Sequence, residues 1–217
     1  MNKMATRINK CCFVCYYSTI RPVGDFIEDS KGQRGLRTFI GVDLPDALKG
    51  VLASLLDELK IQQLKQVERE NLHVTMLFLG DITTEKINYV KELLSGISHK
   101  QFKISINELG VFSPNRPHVL FACIKEGADE LRSIYKVLYD GLKSNRFALE
   151  DRPYTPHITL ARIKWLDADS KKRLFEFIDA HKEQFGEFYC NNLALKQSSL
   201  TEKGPIYRNI FEKRLLP

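Results

Sequence analysis

The sequence predicts an α+β fold with a largely antiparallel sheet, arranged as two related lobes that face each other. Strand-like and helix-like segments interleave in the order β-α-β-α-β-β-α-β-α-β-β. Hairpins nevertheless fall at 103–124 and 188–214, which argues against a doubly wound parallel sheet. The segment Asn71-Leu72-His73-Val74-Thr75-Met76-Leu77 is echoed by Thr155-Pro156-His157-Ile158-Thr159-Leu160-Ala161. Each is an apolar strand of the form His-(Val/Ile)-Thr, and each precedes a helix. Neither G-x-G-x-x-G nor G-x-x-x-x-G-K-[ST] occurs, so nucleotide binding through those loops is not supported.

Taken in order, Leu36–Val42 is β-rich and opens the body of the chain. Leu48, Leu52, Leu55 and Leu59 recur near helical spacing and predict a helix over 45–63. Asn71–Leu79 is an apolar strand stopped by Gly80-Asp81, and Thr83-Thr84 caps a helix over 84–96. Lys103–Phe112 alternates like a strand, Ser113–Pro117 is a loop, and His118–Ile124 is the partner strand. A helix follows over 127–144. Tyr154-Thr155-Pro156 then leads into the strand His157–Ile163, and another helix covers 168–184. Strands near 188–200 and 206–214 close the chain around a turn at Lys203-Gly204-Pro205.

The net charge of +6 is uneven. Residues 1–34 hold six Lys/Arg against three acids, so half of the excess sits there and the remainder is only mildly basic. This stretch, with Lys3, Arg7 and Lys10 ahead of the apolar-leaning Cys11–Tyr17, faintly resembles a targeting segment but lacks a clear small-residue cleavage site. It reads as a leader without a fixed fold, followed by a body over 35–217. Five cysteines, three of them crowded into the leader, do not make a secreted disulfide framework. Cys12-x-x-Cys15 has no second pair or nearby His to complete a zinc site. No apolar run is long enough to span a bilayer. A cytoplasmic monomer is the expectation.

On a strand, residues two apart share a face. His73 with Thr75, and His157 with Thr159, therefore each present an imidazole beside a hydroxyl, with apolar neighbours opposite. Five His and nine Thr in 217 residues predict roughly 0.2 His-x-Thr triplets by chance, and two occur in matching context. Two strands of this kind side by side would make an anion site with two groups that titrate near neutrality. One could activate water and the other protonate a leaving oxygen, while the hydroxyls hold non-bridging phosphate oxygens. Such chemistry needs no metal or other cofactor.

Four further residues are candidates for substrate contact. Arg162 ends the second strand, where it would reach a phosphate. Phe78 and Tyr154 could stack a base, although core packing suits Phe78 better. Arg116 sits in the proline-flanked loop. His118 reads as solvated at a strand start, and His99 and His181 as helix-end residues without a catalytic reason.

His73-Val74-Thr75-Met76-Leu77-Phe78-Leu79-Gly80-Asp81 and Pro156-His157-Ile158-Thr159-Leu160-Ala161-Arg162 resemble the two signature motifs of the LigT/ThpR branch of the 2H phosphoesterases. Arg37–Val42, Arg116–Phe121, and Ser199–Thr201 with Gly204–Tyr207 resemble the family's first strand, Arg-Pro hairpin and closing hairpin, in the expected order from residue 36 onward. The resemblance implies a bilobal fold of two largely antiparallel sheets with pseudo-twofold symmetry around a central cleft. It also implies hydrolysis of RNA 2',3'-cyclic phosphate ends, or of cyclic nucleotides, to a 2'-phosphate. Ligation of 2'–5' RNA ends and a non-catalytic nucleotide- or RNA-binding module are the alternatives.

Overall fold

A computed structural model describes residues 35–202 and 204–217; the expected leader over 1–34 lies outside them, as does Lys203. The elements run β1 (Leu36–Asp43), α1 (Asp46–Glu58), β2 (Leu64–Gln66), a 3-10 turn (Arg69–Asn71), β3 (His73–Ile82), α2 (Thr84–Ser95), β4 (Phe102–Phe112) and β5 (Val119–Ile124). They continue α3 (Ala128–Ser144), β6 (His157–Ile163), α4 (Ala168–Ala180), β7 (Gln184–Cys190), β8 (Asn192–Thr201) and β9 (Gly204–Arg214).

The strands form one curled sheet in the order β7-β4-β5-β6-β3-β1-β8-β9, with β2 paired to β6. Every pairing between these strands is antiparallel. The two sheets expected from the sequence are instead the two arms of this one sheet, because β3 and β6 pair and join them. They meet between β3 and β6 at a single backbone pair, Val74 with Ile158. At the far edges the C-terminal residues complete the curl. Gln101 N–H donates to Leu216 O (2.7 Å), Leu216 N–H to His99 O (2.9 Å) and Leu215 N–H to Asn191 O (2.9 Å).

The halves repeat one another. The spacing that separates His73 from His157 also separates Thr83 from Asp167, and these are the N-caps of α2 and α4. Thr83 Oγ1 accepts from Lys86 N–H, and an Asp167 carboxylate oxygen accepts from Ser170 N–H. Such caps satisfy amide donors that a helix cannot pair internally. One sheet face is sealed by the helices. Leu52, Leu55, Val90, Leu131, Leu138 and Leu174 share a core with Val74, Met76, Ile158 and Leu160, all at most 7% exposed. Burial of this apolar surface is the main force holding sheet and helices together.

Three expectations shift. The helix predicted over 45–63 ends at Glu58, because Leu59 and Ile61 turn into the core and free 64–66 to pair with β6. Gly80 does not stop β3. At φ +71° it absorbs a register shift opposite Thr38, and the strand runs on to Ile82. The stretch after α4 forms two strands in opposite arms of the sheet, β7 at the edge beside β4 and β8 between β1 and β9, so α4 ends at Ala180. No described helix is long and apolar enough to cross a membrane.

Candidate active site

Val74 and Ile158 are paired partners buried on the helix side, so their neighbours in sequence face the other way. His73, Thr75, His157 and Thr159 therefore share one sheet face. In the antiparallel register His73 stands toward Thr159 and Thr75 toward His157, which puts the two imidazoles on a diagonal across the seam. All four are partly exposed.

The two histidines are held alike. His73 Nδ1 lies 2.6 Å from Asn71 O, and His157 Nδ1 lies 2.7 Å from Thr155 O. A carbonyl only accepts, so each Nδ1 carries the hydrogen and each Nε2 is left to exchange protons. Thr75 Oγ1 lies 2.8 Å from His73 Nε2 and donates to it while the ring is neutral. Each ring is bracketed by two aromatics. Phe39 lies 4.8 Å from His73 with Tyr207 edge-on at 5.2 Å; Phe121 lies 5.4 Å from His157 with Phe112 edge-on at 4.8 Å. Burial against these walls pushes both imidazoles below their ordinary pKa. For His73 the value falls to about 4, the Asn71 hydrogen bond opposing burial and the Lys196 charge adding to it.

Matching bulges re-aim the strand ends. Gly41 pairs with Thr75 and Ile40 with Leu77, so Met76 is the extra residue. Leu120 pairs with Ala161 and Phe121 with Thr159, so Leu160 is its counterpart. The shift turns Phe78 and Arg162, rather than Leu77 and Ala161, toward the histidine face. Both are exposed, Phe78 at 57%. Core packing suited Phe78 better in the sequence alone; the bulge is why the strand alternation misleads there.

Tyr154 is not placed to stack a base. Its ring stacks on Tyr135 (4.4 Å, 12°), and its hydroxyl donates to Thr75 O (3.1 Å), buried deeply enough to push the phenol pKa far up. Arg116 is exposed in the β4–β5 turn, its N–H donating to Ser113 O (2.8 Å). Its side chain is not brought to the seam by any contact that the structure shows. His181 caps the end of α4, its Nδ1 donating to Phe177 O (2.8 Å), a structural position as expected.

Sequence reasoning missed the polar group on the outer side of His73. Asp43 pairs with His73 across β1–β3. Lys196, 5% exposed, donates to both oxygens of Asp43 (2.8 and 3.0 Å) and to Asn209 Oδ1, and Asn209 Nδ2 donates to Asp43 (3.0 Å). Burial alone would raise the Asp43 pKa, but Lys196 and Asn209 hold it below the usual carboxylate range. One signal was available: Lys196 directly follows the apolar run Leu193-Ala194-Leu195, and a lysine buried in a strand needs a counter-charge. The group borders a cavity of about 340 Å³ that also touches Lys49, Glu70, His73 and Tyr207. Among the described residues, no group of three or more His, Cys, Asp or Glu is arranged to hold a metal ion.

Two His-x-Thr strands paired at the centre of a curled antiparallel sheet define a 2H phosphoesterase. More particularly, residues 45–200 match the model of the 2'-5' RNA ligase superfamily, and the chain belongs to that family. It is 36% identical over 179 residues to a Methanocaldococcus jannaschii protein named RNA 2',3'-cyclic phosphodiesterase, covering 82% of this chain and 99% of that one. It is 35% identical to an Archaeoglobus fulgidus protein of the same name, covering 81% and 98%. Among solved structures, apo E. coli LigT superposes with a TM-score of 0.68 at 20% identity, covering 84% of this chain and 99% of that one. TT0787 of Thermus thermophilus does so with 0.67 at 26%, covering 82% and 97%.

Proposed function

We propose that this protein hydrolyses RNA 2',3'-cyclic phosphate ends to 2'-phosphates, with His73 and His157 as its acid–base pair. The observation that carries the reading is the diagonal of two imidazoles, each with Nδ1 spent on a backbone carbonyl and Nε2 turned to the same sheet face. The names of relatives at 35–36% identity over most of the chain support the same substrate.

The cyclic phosphate sits across the seam. One Nε2 takes a proton from water as its oxygen attacks phosphorus; the other gives a proton to the 3'-oxygen as the P–O3' bond breaks, leaving the phosphate on O2'. Thr75 and Thr159 donate to the non-bridging oxygens, whose charge grows in the transition state. Arg162 adds a cationic fork at the strand end, and Phe78 offers a face for the terminal base. The aromatic brackets keep the rings oriented and partly dry, which holds the resting imidazoles neutral; a bound phosphate anion then favours protonation of one of them.

Single substitutions test the pair. His73→Ala and His157→Ala are each expected to lower kcat by about 10²–10⁴ on an RNA oligomer with a cyclic end, the loss of one proton-transfer group. A folded variant that keeps near-wild-type turnover removes that histidine from the mechanism.

A further inference from the structure

Both histidines are held through Nδ1 and bracketed by two aromatic rings, and the halves differ around those rings. On the His157 side the edge-on ring is Phe112, stacked on Phe121 (4.3 Å). On the His73 side the edge-on ring is Tyr207, and the 340 Å³ cavity opens beside it, reached from His73 itself and lined otherwise by residues of β1, β8, β9, α1 and the 3-10 turn. A substrate on a nearly twofold pair of histidines needs something asymmetric to fix its direction, and a polar cavity beside His73 can supply it.

Its lining states the kind of ligand. Lys49 and Lys196 are balanced by Glu70 and Asp43, so the cavity offers no net positive charge to a second phosphate. The Lys196 ammonium is already engaged by Asp43 and Asn209. Capacity remains in the Tyr207 hydroxyl, in the Lys49 ammonium, whose contacts are long (3.4 Å to Glu70 O, 3.7 Å to Asp46), and in the exposed Glu70 carboxylate. Donors and acceptors in a charge-balanced hollow of this size suit an uncharged group with both kinds of polar atom, such as sugar hydroxyls and a base edge.

We propose that the cavity outside His73 is a second nucleoside subsite, which takes the nucleoside next to the terminal one and so sets the direction in which RNA crosses the seam. This rests on the phosphodiesterase reading above, with the terminal base on Phe78. The subsite makes the preferred substrate an RNA end rather than a free cyclic mononucleotide.

The test compares kcat/KM for adenosine 2',3'-cyclic phosphate with that for a diadenosine dinucleotide bearing the same cyclic end. It uses wild type, Lys49→Ala and Tyr207→Phe. The expected result is a dinucleotide preference of about tenfold in wild type, shrinking toward unity in both variants. A second arm adds millimolar adenosine to the cyclic mononucleotide. Suppose no dinucleotide preference is seen but a 2'–5' linked product forms. The adenosine 5'-oxygen has then attacked phosphorus as the P–O3' bond broke, and the cavity holds a nucleoside of a second strand, which overturns its assignment to the adjacent nucleoside of the same strand. Equal turnover of both substrates with no effect of adenosine overturns the proposal, as does a preference that survives both substitutions. Wild type inactive on both substrates would instead sink the phosphodiesterase reading itself.

Discussion

The hydroxyl of Tyr154 donates to the backbone carbonyl of Thr75 across 3.1 Å, tying the segment that precedes His157 to the strand that carries His73. The two His-bearing strands otherwise meet at only one backbone pair. A buried phenol stacked on Tyr135 is therefore a cross-brace between the two halves. Tyr154→Phe keeps the ring stack and removes the brace. It is expected to cost about 1–2 kcal/mol in denaturant unfolding and to lower kcat more than it changes KM, while Tyr135→Phe retains activity. Unchanged kcat in Tyr154→Phe would show that the seam holds its geometry without the brace.

Gly41 lies beneath the His73 ring. A Cβ there would stand 2.8 Å from Val74 O and 3.4 Å from His73 Cδ2, and the first contact is with backbone that cannot swing aside. Gly41→Ala is expected to be destabilising by about 1–3 kcal/mol and to shift the imidazole enough to cut kcat by about 10²-fold. A variant with full activity would mean that β1 yields without moving His73.

The threonine hydroxyls face the phosphate in this account, so Thr75→Val and Thr159→Val should fold normally and lose turnover. Each is expected to lose about 10²–10³ in kcat, the cost of removing one donor to a developing oxyanion. Thermal melts alongside steady-state rates check both halves of the claim; a loss confined to KM would assign the hydroxyls to ground-state binding.

The pKa of His73 is depressed to about 4 from an ordinary 6.5, first by burial. Between those values the unfolded chain binds a proton there that the folded one does not. Stability should therefore fall as pH drops from about 6.5 toward 4, with His157 acting in the same direction. Urea midpoints across that window should decline with acid, and His73→Gln should flatten the decline. An equally steep decline in the variant would place the acid sensitivity elsewhere.

Much of the candidate site's layout was legible because it rests on spacing. His73 with Thr75 and His157 with Thr159 declare a shared face by strand alternation alone, and the matched context implies two halves. Element types were legible for the same reason, from Leu48, Leu52 and Leu55 in α1 to the alternation in β4. What spacing hides is long-range geometry. The bulges at Met76 and Leu160 that turn out Phe78 and Arg162 are set by pairing with Gly41 and Phe121, far away in sequence. Tyr154 looked like a cleft aromatic because nothing local announces Tyr135 or Thr75 O as its partners. The Asp43–Lys196–Asn209 group joins three strands and no motif. The division of the stretch after α4 into β7 and β8 depends on which edge each half pairs with, and that is decided by the sheet's curl.

Paired-histidine opening of a cyclic phosphate is tested by hydrolysis of a 2',3'-cyclic nucleotide in excess EDTA, with the products resolved as 2'- or 3'-phosphate. Wild type should yield the 2'-phosphate, and the His73→Ala/His157→Ala double variant should yield none while remaining folded. Release of 3'-phosphate, turnover that EDTA abolishes, or turnover that persists in the double variant would rule out metal-free opening to the 2'-phosphate by this pair.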